Sequence, residues 1–188
     1  MFITLEGIEG SGKTSQIDRL VAYFDKRQMP HLVTRQPGGT AIGQKIRSIL
    51  LDPDNKALSP TAELLLYMAD RAQHIDTMIK PALKQGQAVI CDRYADATVV
   101  YQGYARGLTP DLTQQLHRLL FDDLKPDLTL LLDVDPRIGL ERAWSQLDSG
   151  DRSRSEGRFE EEALAFHERV RNGYLELARI ESDRFRII

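Results

Sequence analysis

Apolar residues fall along this chain in two rhythms. Short, largely apolar runs occupy Phe2–Glu6, His31–Arg35, Ala88–Cys91, Leu128–Asp133 and Phe185–Ile188. Runs of that length, bounded by turn residues, predict strands buried on both faces. Between them the apolar spacing changes to three and four. Ile17, Leu20, Val21 and Phe24 predict a helix from Lys13 to about Gln28; Ile42, Ile46, Ile49 and Leu50 predict one from Thr40 to Leu51. Ser59-Pro60, Thr109-Pro110 and Asp135-Pro136 read as helix starts, each a capping side chain followed by proline in the first turn. The first of these helices should run to about Lys84, with Pro81 kinking or breaking it. A last helix is predicted from about Phe159 to Ile180, and Gln36–Thr40 forms a tight loop.

Strands alternating with helices predict an α/β chain: a five-stranded parallel sheet with helices on both faces, as one domain over residues 1–188. Ligands of such sheets bind beyond the carboxyl ends of the strands. Gly7–Thr14, Arg35, Asp92 and Asp133 all fall at such ends, so four polar features converge on one rim.

Composition narrows the possible partners. The net charge of −3 argues against a general nucleic-acid binder, which needs a basic stripe to displace counterions. Cys91 is the only cysteine, so neither an internal disulfide nor a thiolate metal cluster can form, and its apolar run suggests a buried thiol. Residues 1–6 lack the pattern of a signal peptide, and no apolar stretch reaches the ~18 residues that span a bilayer. The expectation is a cytoplasmic protein with no membrane or nucleic-acid partner. His31, His74, His117 and His167 have no metal-ligand spacing and are expected at the surface or in packing.

Gly7-Ile8-Glu9-Gly10-Ser11-Gly12-Lys13-Thr14 matches Gly-x-x-x-x-Gly-Lys-Thr between a strand and a helix. Such a loop turns backbone N–H groups and a helix N-terminus onto a polyphosphate. Lys13 would reach the β- and γ-phosphates, and the Thr14 hydroxyl would join Mg²⁺. Glu9 is odd inside an anion nest, unless it points toward a sugar hydroxyl or an arginine.

A P-loop alone suits a kinase, a GTPase, an ATPase or a motor. No guanine-reading Asn-Lys-x-Asp motif follows at a later strand end. Arg35 and Arg93 stand at strand ends instead, and guanidinium forks suit a second phosphate, carried by a phosphorylated acceptor. A deoxynucleoside kinase, which needs no acceptor-phosphate site, is the nearest alternative; a nucleotide-dependent switch is a more distant one.

Thr34-Arg-Gln-Pro-Gly-Gly-Thr40, Asp92-Arg-Tyr94, Tyr101-Gln-Gly103 with Arg106-Gly107, and Leu132-Asp-Val-Asp-Pro136 follow the P-loop in that order. Together these motifs resemble the bacterial thymidylate kinases, within the P-loop nucleoside monophosphate kinases, over about residues 2–188. The resemblance implies the P-loop kinase fold, a three-layer sandwich. It implies Mg-dependent transfer from ATP to dTMP, and a homodimer packed through helices. Arg93 and Arg35 would bind the acceptor phosphate. Tyr67 would stack on thymine, Arg71 and Thr98 would bond the base, and Gln102 would help hold the pocket. Tyr101 would exclude a ribose 2′-hydroxyl. Glu9 would meet the 3′-hydroxyl region, and Asp92 would sit near Mg²⁺. Tyr67 and Arg71 are four apart, so they share a helix face, although a salt bridge with Asp70 or plain packing would also explain either.

Residues 148–158 carry Arg152, Arg154 and Arg158 in a polar, glycine- and serine-containing stretch, the expected mobile lid. The family places a charge-stabilising arginine either in the P-loop or in the lid. Position 10 is glycine, so the lid should supply it, with Arg158 first and Arg152 and Arg154 as helpers. Three departures stand out. Gln36 replaces a usual Glu and could cost a charge that orients an arginine. Ala97 replaces a common Ser. The family's further loop and terminal helix have no counterpart in these 188 residues, so the expectation is either a shortened copy or a less enclosed donor site.

Overall fold

The computed structural model describes residues 1–151 and 153–188. Its centre is an all-parallel sheet in the order β2-β3-β1-β4-β5, built from β1 (Phe2–Glu6), β2 (His31–Arg35), β3 (Ala88–Asp92), β4 (Leu128–Leu131) and β5 (Phe185–Ile187). The order places β1 in the middle, in register with β3 through Thr4 opposite Cys91 and with β4 through Thr4 opposite Thr129. The loop after β1 therefore emerges at the centre of the carboxyl rim.

Alternation along the strands divides the core in two. Ile3 and Leu5 of β1 and Ile90 of β3 face one side, where they pack with Ile17 and Phe24 of α1 (Lys13–Lys26). Phe2, Val89 and Cys91 face the other. There they meet Leu64 and Met68 of α3 (Pro60–His74) and Phe121 of α6 (Pro110–Phe121). Successive side chains of a strand point to opposite faces, so continuous apolar runs feed two layers at once. Cys91 is fully buried, as expected.

The caps form as the sequence predicts. Thr40 accepts from the Gly43 N–H at the start of α2 (Ala41–Leu51), and Ser59 accepts from the Ala62 N–H at the start of α3. Asp135 accepts from the Arg137 N–H at the start of α7 (Pro136–Ser149). Pro81 neither breaks nor ends its helix. A wider π turn over Ile75–Ile79 follows α3, and the Lys80 N–H donates to Ile75 O, five residues back. Pro81 then lies in α4 (Lys80–Lys84), which continues the π turn without leaving helical conformation. A second π turn, Val99–Ala105, follows the short α5 (Ala95–Thr98). The long helix α8 (Leu164–Ile180) packs on that π turn and leads into β5.

Candidate active site

The carboxyl rim holds a cavity of about 280 Å³. Glu9 through Ser15 form part of its wall. Arg35, Tyr67, Arg71, Asp92, Arg93, Thr98, Tyr101 and Gln102 form much of the rest. Residues from five separate stretches of sequence therefore surround one space.

Within the P-loop, Lys13 Nζ donates to the carbonyls of Gly7 at 3.1 Å and Ile8 at 2.9 Å. Burial, with Arg93 nearby, lowers its pKa to about 8. The Ile8 side chain is buried in the core, so that residue serves the loop through its backbone. Gly10 has φ +66°, and a Cβ built there would lie 2.0 Å from the carbonyl oxygen of Gly139 in α7. A Cβ at Gly139 would in turn meet the Glu9 carbonyl at 2.6 Å. The two backbones touch because both positions lack side chains.

Glu9 turns away from the anion nest. Its Oε1 accepts from Arg93 at 2.8 Å and from the Tyr101 hydroxyl at 2.7 Å. Burial pushes its carboxyl pKa up, but Arg93, His167 and Lys13 outweigh this and hold it well below the usual range. Arg93 follows β3 with φ +63°, a conformation sparsely used by residues other than glycine and concentrated at functional sites. Its N–H donates to Leu5 O and its guanidinium to Gly7 O, so strand pairing and the P-loop both fix it.

Arg71 is buried on α3. Its Nε donates to Gln36 Oε1 at 2.8 Å and its Nη2 to Thr98 Oγ1 at 2.5 Å. A neutral amide oxygen thus orients the guanidinium where a carboxylate had been expected to be needed. Asp70 is not its partner; Asp70 Oδ1 accepts from the Gly38 N–H. Gln102 Nε2 donates to Glu63 at 2.7 Å, which fixes its side chain at the cavity wall.

Asp92 Oδ1 is buried with no hydrogen-bond partner among the described residues, on the cavity wall that also holds Thr14. An orphaned buried carboxylate oxygen on the same cavity wall as a P-loop hydroxyl fits a hard divalent cation, which takes few protein ligands and keeps phosphate and water oxygens.

The sequence profile of thymidylate kinase matches residues 5–188. A thymidylate kinase of Desulfosudis oleivorans is 57% identical over the whole chain, which covers 88% of that protein. One of Desulforapulum autotrophicum is 55% identical, with 83% of its length covered. The crystal structure of thymidylate kinase from Ehrlichia chaffeensis superposes with a TM-score of 0.80 at 34% identity, covering all of this chain and 91% of that one. The chain belongs to the thymidylate kinase family.

Two expectations need correction. Arg158 does not line the cavity. It is 7% exposed; its Nε donates to Leu50 O and its Nη2 to Glu63 Oε2, so both ends of the guanidinium are committed to the scaffold. Arg154, on a short 3₁₀ turn over Arg154–Glu156, is largely exposed and pairs with Asp148 at 2.6 Å. Arg152 lies outside the described residues. Asp133, counted among the rim features, is drawn off by a two-pronged pair with Arg171 at 2.6 and 2.8 Å.

Other site residues were not anticipated. Arg47 of α2 lines the cavity, held by Glu156 and by Pro37 O. Glu63 accepts from Gln102, Arg106 and Arg158. His167, expected at the surface or in packing, lies fully buried and beside Glu9. His74, by contrast, is core packing, bonded to Thr34 Oγ1.

Proposed function

We propose that the chain is a dTMP kinase, moving the γ-phosphoryl group of Mg-ATP to dTMP to give dTDP and ADP, as a step toward dTTP in the cytoplasm. The observation that carries this reading is the shared cavity. A P-loop lysine and a strained, half-buried Arg93 open on one space with Tyr67, Arg71 and Thr98. A deoxynucleoside kinase or a nucleotide switch has no use for that second anion site.

In this reading Gly7–Thr14 cradle the triphosphate, with Lys13 at the β- and γ-phosphates. Thr14 and Asp92 would hold Mg²⁺, which neutralises triphosphate charge when bound. Arg93 and Arg35 bind the acceptor phosphate, and Tyr67 stacks on the base. Arg71 and Thr98, already bonded to each other, present donor and acceptor groups to the base edge, beside Gln102. Tyr101 fills the space a 2′-hydroxyl would need, and Glu9 faces the sugar. Transfer is direct and in line, so positioning and charge neutralisation do the catalysis. Arg154 and Arg152 are the lid cations that close on the transferring group, while Arg158 roots the lid. Exposed Ile42 and Ile49 of α2 and Leu65 of α3 support a homodimer packed through these helices.

One coupled assay tests the reaction. Mg-ATP is offered with dTMP, UMP, dUMP, thymidine or no acceptor. ADP release that depends on dTMP is expected. Acceptor-independent hydrolysis, or preference for thymidine, would overturn the reading. Light scattering should give twice the chain mass.

A further inference from the structure

One face of α8 carries His167, Arg171 and Tyr174, four and three residues apart, the spacing of neighbours on a helix surface. Each meets a different acid on the carboxyl rim. Arg171 grips Asp133, at the end of β4, with two bonds. The Tyr174 hydroxyl donates to Glu6 Oε2, at the end of β1, at 2.7 Å. His167 Nδ1 lies 3.3 Å from Glu9 Oε2, just outside hydrogen-bond geometry. Glu9 Oε2 and both ring nitrogens of His167 are buried with no other hydrogen-bond partner among the described residues. The same helix face that satisfies two acids is thus aimed at the third.

The reason for a third contact lies on the other side of Glu9. Its Oε1 is satisfied by Arg93 and Tyr101. Arg93 is also the guanidinium proposed to take the acceptor phosphate, so this argument rests on that reading. As Arg93 turns its charge to the incoming phosphate, a buried carboxylate loses its cation. Leaving such a group unpaired is costly, and the cost would appear as weak acceptor binding. A donor poised beside the far oxygen removes that cost.

We propose that His167 is a positioning residue: its ring N–H holds Glu9 Oε2 and so releases Arg93 from Glu9 to the acceptor phosphate. Without it, Glu9 would keep Arg93 for itself.

The test is steady-state kinetics with the full chain. His167→Phe keeps ring volume but has no donor. It should raise the KM for dTMP about tenfold, the worth of one charge-assisted hydrogen bond, while kcat and the KM for ATP stay within about threefold. His167→Asn, whose amide nitrogen falls near the Nδ1 position, should restore the dTMP KM to within about threefold of wild type. In a Glu9→Gln background, where no charge needs compensation, His167→Phe should add less than about a further twofold. An unchanged dTMP KM in the Phe variant would overturn the proposal. So would an equal rise in the KM for ATP, failure of Asn to rescue, or additivity with Glu9→Gln. If the Phe variant does not fold, His167→Met carries the same comparison. A wild type that ignores dTMP overturns the dTMP reading alone, and the series is then run with the nucleoside monophosphate that it does accept.

Discussion

Arg158 donates a charged hydrogen bond to Glu63 at 2.5 Å, joining the end of the 148–158 segment to α3 in a site where both side chains are shielded from water. Arg106 and Gln102 reach the other oxygen of the same carboxylate. Removing one member of such a cluster strands a buried charge. Arg158→Ala should therefore cost about 2–4 kcal/mol of stability, read as a lower urea midpoint. Its loss of activity should follow loss of fold. Replacing both Arg152 and Arg154 with Ala should do the reverse, lowering kcat by about 10³-fold or more, as for other charge-stabilising arginines, with the urea midpoint unchanged.

The assignment of Arg158 marks where the sequence stopped being informative. Strands, caps and the P-loop were legible because each is encoded by neighbours: Ile17, Leu20, Val21 and Phe24 share a helix face, and Ser59-Pro60 starts a helix. The acceptor wall was legible only through family motifs, since nothing local says that Arg71 meets Thr98 across 27 residues. Three arginines in one polar segment look alike in sequence. What separates Arg158 from Arg154 is a carboxylate 95 residues away in the chain. His167 had a signal that went unused: its spacing to Arg171 and Tyr174 places all three on one face. That face gains meaning only once β1 and β4 put their acids opposite it.

Lys13 links the donor site to pH. Burial first, and Arg93 second, depress its pKa from 10.5 to about 8 in the free protein. Only the charged ammonium attracts the triphosphate. The value of kcat/KM for ATP, which reports groups of the free enzyme, should be flat below about pH 8. Above it the value should fall by roughly tenfold per unit. A pH series at saturating dTMP checks this, and Lys13→Arg should push the fall beyond the measurable range.

Glu6 gives a stability change of definite sign. Burial, reinforced by Asp96, raises its pKa from 4.5 to about 7 despite bonds from the Tyr94 N–H and the Tyr174 hydroxyl. The folded state therefore holds this proton more tightly than the unfolded chain. The contribution is fully present below pH 4.5 and is lost as pH rises through about 7, amounting to about 3 kcal/mol. Glu6→Gln cannot ionise. Urea unfolding at pH 5 and pH 8 should show wild type losing stability relative to the Gln variant between the two. Parallel losses in both proteins would place the titrating group elsewhere.

The surroundings of Gly10 leave no room for a charge-stabilising arginine in the P-loop. A side chain at that position would need a left-handed backbone and would place its Cβ 2.0 Å from the Gly139 carbonyl, a fixed atom of α7. Backbone cannot yield as a flexible side chain can. The strain of the left-handed conformation and the overlap together predict a loss of about 2–4 kcal/mol for Gly10→Ala. Gly10→Arg should fare no better, and it should not rescue kcat when Arg152 and Arg154 are both Ala. A P-loop arginine is closed to this chain by the contact between the P-loop and α7. Thermal denaturation and turnover of the triple variant test this together. Recovered turnover with an unchanged melting temperature would mean that α7 can withdraw, and that Gly139 does not determine where the arginine sits.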